Sequence, residues 1–358
     1  MEIFRKKARG LVGLEIEAGS IAATEVQVNG SPRVVGTAIE PLPPNAFHEG
    51  EVADAEALTE ALRALYSKQK LSKRVRLGIA NQRVVVRTLR LPALDDPKEL
   101  AAAVRFQAQE QILMPIDQAV LDHRVVGGVA AEGEDTAKVD VVVVAARRDM
   151  IESSLAPLRK AGLQPVGIDL SAFGLIRALA DAVPPPQEGS PEGGPPATLF
   201  CNVGDATNLA IAKGRACLFT RVAPVGFESI VSGLVATAGL TPEHAAMWLD
   251  HVGLDRPLEE VAGDPGTVAA VRGALETGAS ALQDELRLSL DFYSAQEGSA
   301  PIGNVVLGGP GSAIAGLPER VESFLGLPLQ VGRPAALAGL DASSAARLTL
   351  SYGLALDA

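Results

Sequence analysis

The chain of 358 residues has no apolar run approaching the ~18 to 20 residues that span a bilayer, and no apolar core follows its N-terminal Arg5, Lys6, Lys7 and Arg9. A membrane span and a secretory leader are therefore not expected, and the four basic residues read as a solvated chain end. Cysteine is scarce. Cys201 and Cys217 both fall in apolar stretches, which excludes a disulfide scaffold and predicts two buried free thiols in a reducing compartment, the cytoplasm. His48, His123, His244 and His251 share no metal-ligand spacing, and no Ser–His–Asp set, HExxH or CxxC pattern occurs. These absences argue against a hydrolase with a side-chain nucleophile and against a zinc site. Positive charge is in deficit: 32 Lys and Arg face 43 Asp and Glu, a net charge of −11, with no basic stripe interleaved with aromatics. Such a surface repels phosphodiester backbones, so nucleic acid is not an expected partner. Aromatic residues make up only 4%, which leaves the core to aliphatic side chains.

What is present reads as a soluble α/β chain long enough for two or more domains. Residues 11–28 alternate like strands, and Asn29-Gly30 supplies a hairpin turn before a third strand. Asp54 offers an N-cap to a helix with Leu58, Leu62 and Leu65 on one face, and Asp96 with Pro97 opens another. "KVDVVVVAAR" is so continuously apolar that it should be the central strand of its sheet. Gly162 is placed to stop a helix, and Asp169 to cap the one after it. The Pro- and Gly-rich segment 183–197 carries too few apolar groups for a packed element and reads as an exposed connector.

After this connector the order of elements repeats. "TLFCNVGDATNLAIAKGRACLFTRVAPVG" again reads strand, tight polar turn, strand, Lys213-Gly214 hairpin, strand. Laying Glu15 on Asn202 places Glu17 on Gly204, Gly19 on Ala206 and Ser20 on Thr207. Helices are expected near 226–239, 242–252 with Thr241 as its cap, 267–296 and 343–356, with "GGPGSA", Gly308 to Ala313, as a glycine turn between a strand and a helix. A duplicated hairpin-plus-helix lobe with a late glycine turn is the layout of the actin-like fold, whose opening turns face each other across a cleft and grip phosphates with backbone N–H groups.

Several long segments carry a closer resemblance: "AIEPLPPNAFHEGEVAD", "RTLRLPALDD", "AVRFQAQEQILMPIDQAVLDHRVVG", "GLQPVGIDLSAFGL", "RVAPVGFESI", "DELRLSLDFY" and "NVVLGGPGSAIAGLPERVESFLGLPLQV". Through them nearly the whole chain resembles the PilM family of type IV pilus assembly proteins, itself close to the cell-division protein FtsA. The resemblance implies an α/β, bilobed actin-like (ribonuclease H-like) ATPase fold with an FtsA-type inserted subdomain. It implies a first-lobe core of residues 1–83 and 165–182 closed by the C-terminal helix 340–358, and an inserted subdomain at 84–164. The linker at 183–197 would then lead to a second-lobe core of 198–235 and 300–339 with a helical subdomain at 236–299.

The same resemblance implies a cytoplasmic adaptor at the inner face of the membrane, holding the cytoplasmic N-terminal peptide of a PilN-like protein in a groove beside the inserted subdomain. Arg87, Arg90, Arg105 and Gln109 are the candidate partner residues, with ordinary surface ion pairing as the alternative. It further implies ATP or ADP with Mg²⁺ between the lobes, held by Gly19 and Ser20, by Gly204, Asp205, Ala206, Thr207 and Asn208, and by Gly308, Gly309 and Gly311. Arg287 would stack on the adenine, and Glu15 and Asn202 take the metal positions. A slow ATPase is the most that this site would support; a switching or polymerising ATPase and a nucleotide-free scaffold like the type II secretion protein GspL are the alternatives.

The first turn departs from the family's pattern, near "DIGSSSIK". Glu15 replaces Asp, Glu17 replaces Gly, Ala18 replaces Ser and Ala22 replaces Lys. Glu17 restricts the backbone and obstructs close approach. A carboxylate ~4 Å from a phosphate costs on the order of 1–4 kcal/mol at effective dielectrics between water and a protein surface. Two readings stay open: magnesium bridging Glu15 or Glu17 to phosphate, or both as solvated turn carboxylates. With Glu17 and Ala22 in these places nucleotide binding is expected to be weak or lost, unless magnesium turns the repulsion into attraction.

Overall fold

The computed structural model describes residues 10–43, 45–129, 137–183, 196–296 and 298–356. The basic residues at 5–9 and residues 184–195 of the connector lie outside the described residues. Strands β1 (Leu11–Ile16), β2 (Ser20–Asn29) and β3 (Ser31–Pro41) form a meander, followed by the short pair β4 (Phe47–His48) and β5 (Glu51–Val52), α1 (Ala55–Lys68) and β6 (Arg74–Ile79). Then come β7 (Val85–Pro92), α2 (Pro97–Gln111), β8 (Ala119–Val129), β9 (Lys138–Arg147), α3 (Arg148–Lys160), β10 (Gln164–Leu170) and α4 (Ser171–Leu179). The second half contains β11 (Ala197–Val203), β12 (Thr207–Lys213), β13 (Ala216–Ala223), α5 (Phe227–Ala238), α6 (Pro242–Val252) and α7 (Pro265–Ser294). It closes with β14 (Ile302–Gly308), α8 (Leu317–Leu325), β15 (Leu329–Val331) and α9 (Ala342–Ala355).

The internal echo is a true structural repeat. One sheet runs β3-β2-β1-β6-β10 and the other β13-β12-β11-β14-β15, each an antiparallel meander extended by two parallel strands. Between the sheets lie α4 and α9. Their apolar faces, including Leu175, Leu179, Leu348 and Tyr352, share one core with Ala22 and Val26 of the first sheet and Phe200, Ala210 and Val306 of the second. The helices cross closely: a Cβ on Gly353 would run into the carbonyl of Gly174. Each lobe keeps a separate core on its outer face, against α1 and α3 in the first and against α5, α6, α7 and α8 in the second.

Local signals act where they were read. Asp54 accepts the N–H groups of Glu56 and Ala57 at 3.0 Å, Asp96 accepts that of Lys98 at 2.8 Å, and Thr241 accepts that of His244. Asp169 is a correction. The N-cap of α4 is Leu170; the Asp169 carboxylate accepts the Leu170 N–H at 2.9 Å and pairs with Arg177 rather than reaching the first turn of the helix. β9 is central in a third sheet, β7-β9-β8, whose one face is covered by α2. Helix α3, which falls within the inserted segment 84–164 by sequence, packs on α1 and β10, with Leu158 in the first-lobe core. Cys201 and Cys217 are buried free thiols. Among the described residues no helix is long and apolar enough to cross a membrane.

Candidate functional site

The strand registers place the two opening turns at equivalent points. β1 ends with Ile16 opposite Ile21, and β11 ends with Val203 opposite Thr207. Glu15 therefore matches Asn202 and Glu17 matches Gly204. The first turn, 17–20, is one residue longer than the second, 204–206, so Ile21 rather than Ser20 matches Thr207, which corrects the sequence alignment after the turn.

The turns touch each other directly. The Gly19 N–H donates to Asp205 Oδ2 at 2.9 Å, and the Asp205 N–H donates to Glu17 Oε1 at 3.3 Å. Glu17 lies so close against the second turn that a Cβ on Gly204 would overlap its Oε1. Behind that turn the Phe227 N–H of α5 donates to the Gly204 carbonyl at 2.6 Å, and Thr207 Oγ1 donates to the Val225 carbonyl at 2.5 Å. Those two groups are engaged within their own lobe.

Of the three carboxylates, Glu15 is buried and Glu17 and Asp205 are half-buried. Glu15 is 6% exposed. Burial, then the neighbouring Glu17 and Asp205, hold its carboxyl well above the ordinary range. Burial and then Asp205 raise Glu17 to about 8, against the opposing pull of the Asp205 N–H and Arg347. Asp205 is likewise raised by burial, with the Gly19 N–H and Arg347 opposing. Arg347 of α9 is thus the compensating cation of the cluster, and its guanidinium lies 5.7 Å from the Phe227 ring centroid. Sequence reasoning missed it; the available signal was a lone cation in an otherwise small and apolar closing helix. Among the described residues no group of three or more His, Cys, Asp or Glu is arranged to hold a metal ion.

The base side of the crevice is packed. Arg287 stacks on Phe324, 4.8 Å from the ring centroid. The glycines of "GGPGSA" are explained by contact with β11: Gly309 has φ +79°, with its Cβ direction 2.7 Å from the Val203 carbonyl, and Gly311 lies against the Val203 side chain. Pro310–Ala313 is a buried 3₁₀ turn, so the helix expected directly after the glycines begins only at Leu317. Ile230 of α5 presses on Gly278 of α7, and the cavity left there, bounded also by Leu254, Ile314 and Leu317, is 10 Å³. A second cavity of 260 Å³ lies between the lobes, lined by Asn81, Asn208, Thr220, Arg221 and Pro224 among others. It is below the roughly 300–1,000 Å³ usual for small-molecule sites. Arg221 there is paired with Glu285 at 2.9 Å. Two buried amide oxygens, of Asn202 and Asn208, lack a hydrogen-bond partner among the described residues. The residues present do not fit a magnesium nucleotide.

A larger cavity lies elsewhere. A groove of 490 Å³ runs between the three-stranded sheet and α4, with β8 on one wall and Arg215–Cys217 on the other. β8 is an edge strand, and Val125 and Val126 are 46% and 38% exposed beside Phe173 and Ile176 of α4. The Asp169–Arg177 pair also lines the groove, with Arg177 Nε donating to the Gly353 carbonyl at 3.0 Å. Of the four candidate partner residues, Arg90 stands opposite Asp140 and pairs with it at 2.8 Å, Arg105 pairs with Asp117 at 2.7 Å, and Arg87 donates to the Val86 carbonyl. Gln109 is exposed on α2. These four lie on β7 and α2, outside the groove lining.

The family described as type IV pilus assembly protein PilM matches residues 13–355. A chain of a solved PilM–PilN type IV pilus biogenesis complex is 26% identical, with 96% of this chain and 97% of that one covered and a TM-score of 0.76. The ethanolamine utilization protein EutJ from Carboxydothermus hydrogenoformans is 14% identical, covering 96% of this chain and 88% of its own, with a TM-score of 0.51. MreB5 of Spiroplasma citri, solved with ADP, is 12% identical, covering 92% and 94%, also with a TM-score of 0.51. The latter two likenesses establish the actin-like ATPase fold.

Proposed function

The chain belongs to the PilM family of type IV pilus assembly proteins, and from that premise we propose that it is an adaptor of the pilus inner-membrane platform, docking an extended peptide of a PilN-like protein. The observation that carries this reading is the groove along β8. An edge strand presents unpaired main-chain groups, which an extended peptide satisfies by adding a strand, while apolar slots beside it take alternate side chains. Val125 and Val126 on the edge, with Phe173 and Ile176 across from them, supply the apolar slots, and Arg124 and Arg177 offer donors to a peptide's carbonyls. Because α4 carries one wall and also lies in the interlobe layer, a peptide in the groove would sit against the same helix that joins the two lobes. This favours a link between membrane partner and cytoplasmic assembly over catalysis.

The reading is tested by fluorescence anisotropy with a labelled N-terminal peptide of the PilN-like partner. Saturable binding by the full chain is expected, weakened about tenfold or more by Val126→Asp, which puts a charge on the apolar edge. Absence of saturable binding by the folded wild type would remove the adaptor role.

A further inference from the structure

In the actin-like layout the paired turns grip phosphate from both sides with main-chain N–H groups. In this chain each turn grips the other. We infer that Glu17 and Asp205 form a built-in clasp that takes the place of nucleotide phosphate, so that the lobes are held together by the chain itself and the crevice takes neither ATP nor ADP.

Three sets of observations converge on it. The contacts are reciprocal across the lobes: the second-lobe carboxylate of Asp205 accepts the first-lobe N–H of Gly19, and the first-lobe carboxylate of Glu17 accepts the second-lobe N–H of Asp205. A carboxylate accepting a backbone N–H is the same kind of interaction that a phosphate oxygen makes, with one negative group already in place. Next, the glycine matched to Glu17 is what admits it, since a Cβ on Gly204 would occupy the position of Glu17 Oε1. Glu on one turn is thus complemented by glycine at the matched position of the other. Finally, the base end is closed independently, by Ile230 on Gly278, by Arg287 on Phe324 and by the glycine turn against Val203. A chain that still received nucleotide would have to undo both ends. Arg347, reaching the cluster from α9, supplies positive charge without a metal ion or a lysine at position 22.

Amide hydrogen exchange on the full-length wild type tests this directly. The Gly19 and Asp205 N–H groups are expected to be protected without ligand. Millimolar ATP or ADP with Mg²⁺ is expected to leave that protection unchanged and to give no binding heat in calorimetry. Asp205→Ala should speed exchange at Gly19 by about 10- to 100-fold, the worth of a charge-assisted hydrogen bond, and Glu17→Ala at Asp205 by about 3- to 10-fold, the worth of an uncharged one. Unprotected amides in the wild type, or saturable nucleotide binding by it, would overturn the clasp. If either variant fails to fold, the wild-type exchange and calorimetry still decide. Peptide binding at the β8 groove is a separate measurement, so failure of the clasp and failure of the adaptor role are distinguishable.

Discussion

The two lobes share one strand order yet meet the helices between them in opposite ways. Counting back three residues from the matched ends Ile16 and Val203, Gly13 of β1 corresponds to Phe200 of β11. Gly13 lets α9 lie directly on the first sheet: a Cβ there would overlap the Ser351 carbonyl and stand 2.6 Å from the Ala355 nitrogen. Phe200 instead fills the interlobe layer from the second sheet with the largest fully buried side chain of the described residues. Thr24 of the first sheet adds a buried hydrogen bond to Ser351 of α9 at 2.7 Å. A duplicated fold therefore diverges most where its halves face each other, because facing surfaces must complement rather than copy one another. The turns follow the same rule, with Glu17 on one side and Gly204 on the other.

That comparison can be broken at several points. Phe200→Ala should cost most, about 3–5 kcal/mol, because the rigid layer of α4 and α9 cannot collapse into the void; denaturant unfolding measures it. Next comes pH. Glu17 binds its proton more tightly in the folded chain, about 8 against the ordinary 4.5, so between these values the native state holds more protons than the unfolded one. Its contribution is full below about 4.5, falls as pH rises, and is lost above about 8; the Glu17→Gln variant should flatten that part of the stability profile. Asp205, Glu15, Glu228 and Arg347 face or surround this group, so the slope reports the cluster as a whole.

Gly13→Ala is expected to cost about 1–3 kcal/mol, since the Ser351 carbonyl, the Ala355 nitrogen and the Leu354 Cβ of α9 stand in the way of the added methyl. The smallest effects should fall where the lobes remain equivalent. Gly30 and Gly214, at the outer hairpin turns, both have positive φ and open space around them. Alanine at either should cost about 1–2 kcal/mol from backbone conformation alone, and nearly the same in both lobes. A clear inequality between the two would show that the outer turns have also diverged.

Much of the architecture was legible because local signals are strong: Asp54, Asp96 and Thr241 as caps, Gly30 and Gly214 as hairpin turns, and the continuous apolar run of β9. The site was legible only in part. Sequence spacing brought the two turns to one crevice but left Glu17 as either solvated or metal-bound, and did not show that it accepts an N–H of the opposing turn. Its partner, the Asp205 N–H, is 188 residues away. Arg287 likewise has a partner that no local pattern encodes: it stacks on Phe324, between α7 and α8. Asp169 was read as a cap because its neighbours open a helix, while its carboxylate accepts the Leu170 N–H and pairs with Arg177, two turns further on.

By itself the sequence determined the repeated order of strands, the turn positions, the family and the lack of any long apolar run, since each depends on interactions between residues close along the chain or on composition. Only the tertiary structure decided which groups fill the crevice and where an open strand edge lies. Those outcomes depend on distances between residues far apart in sequence. A carboxylate drawn partly out of water takes the donor that the opposing lobe presents, because a buried polar group left unpaired costs free energy.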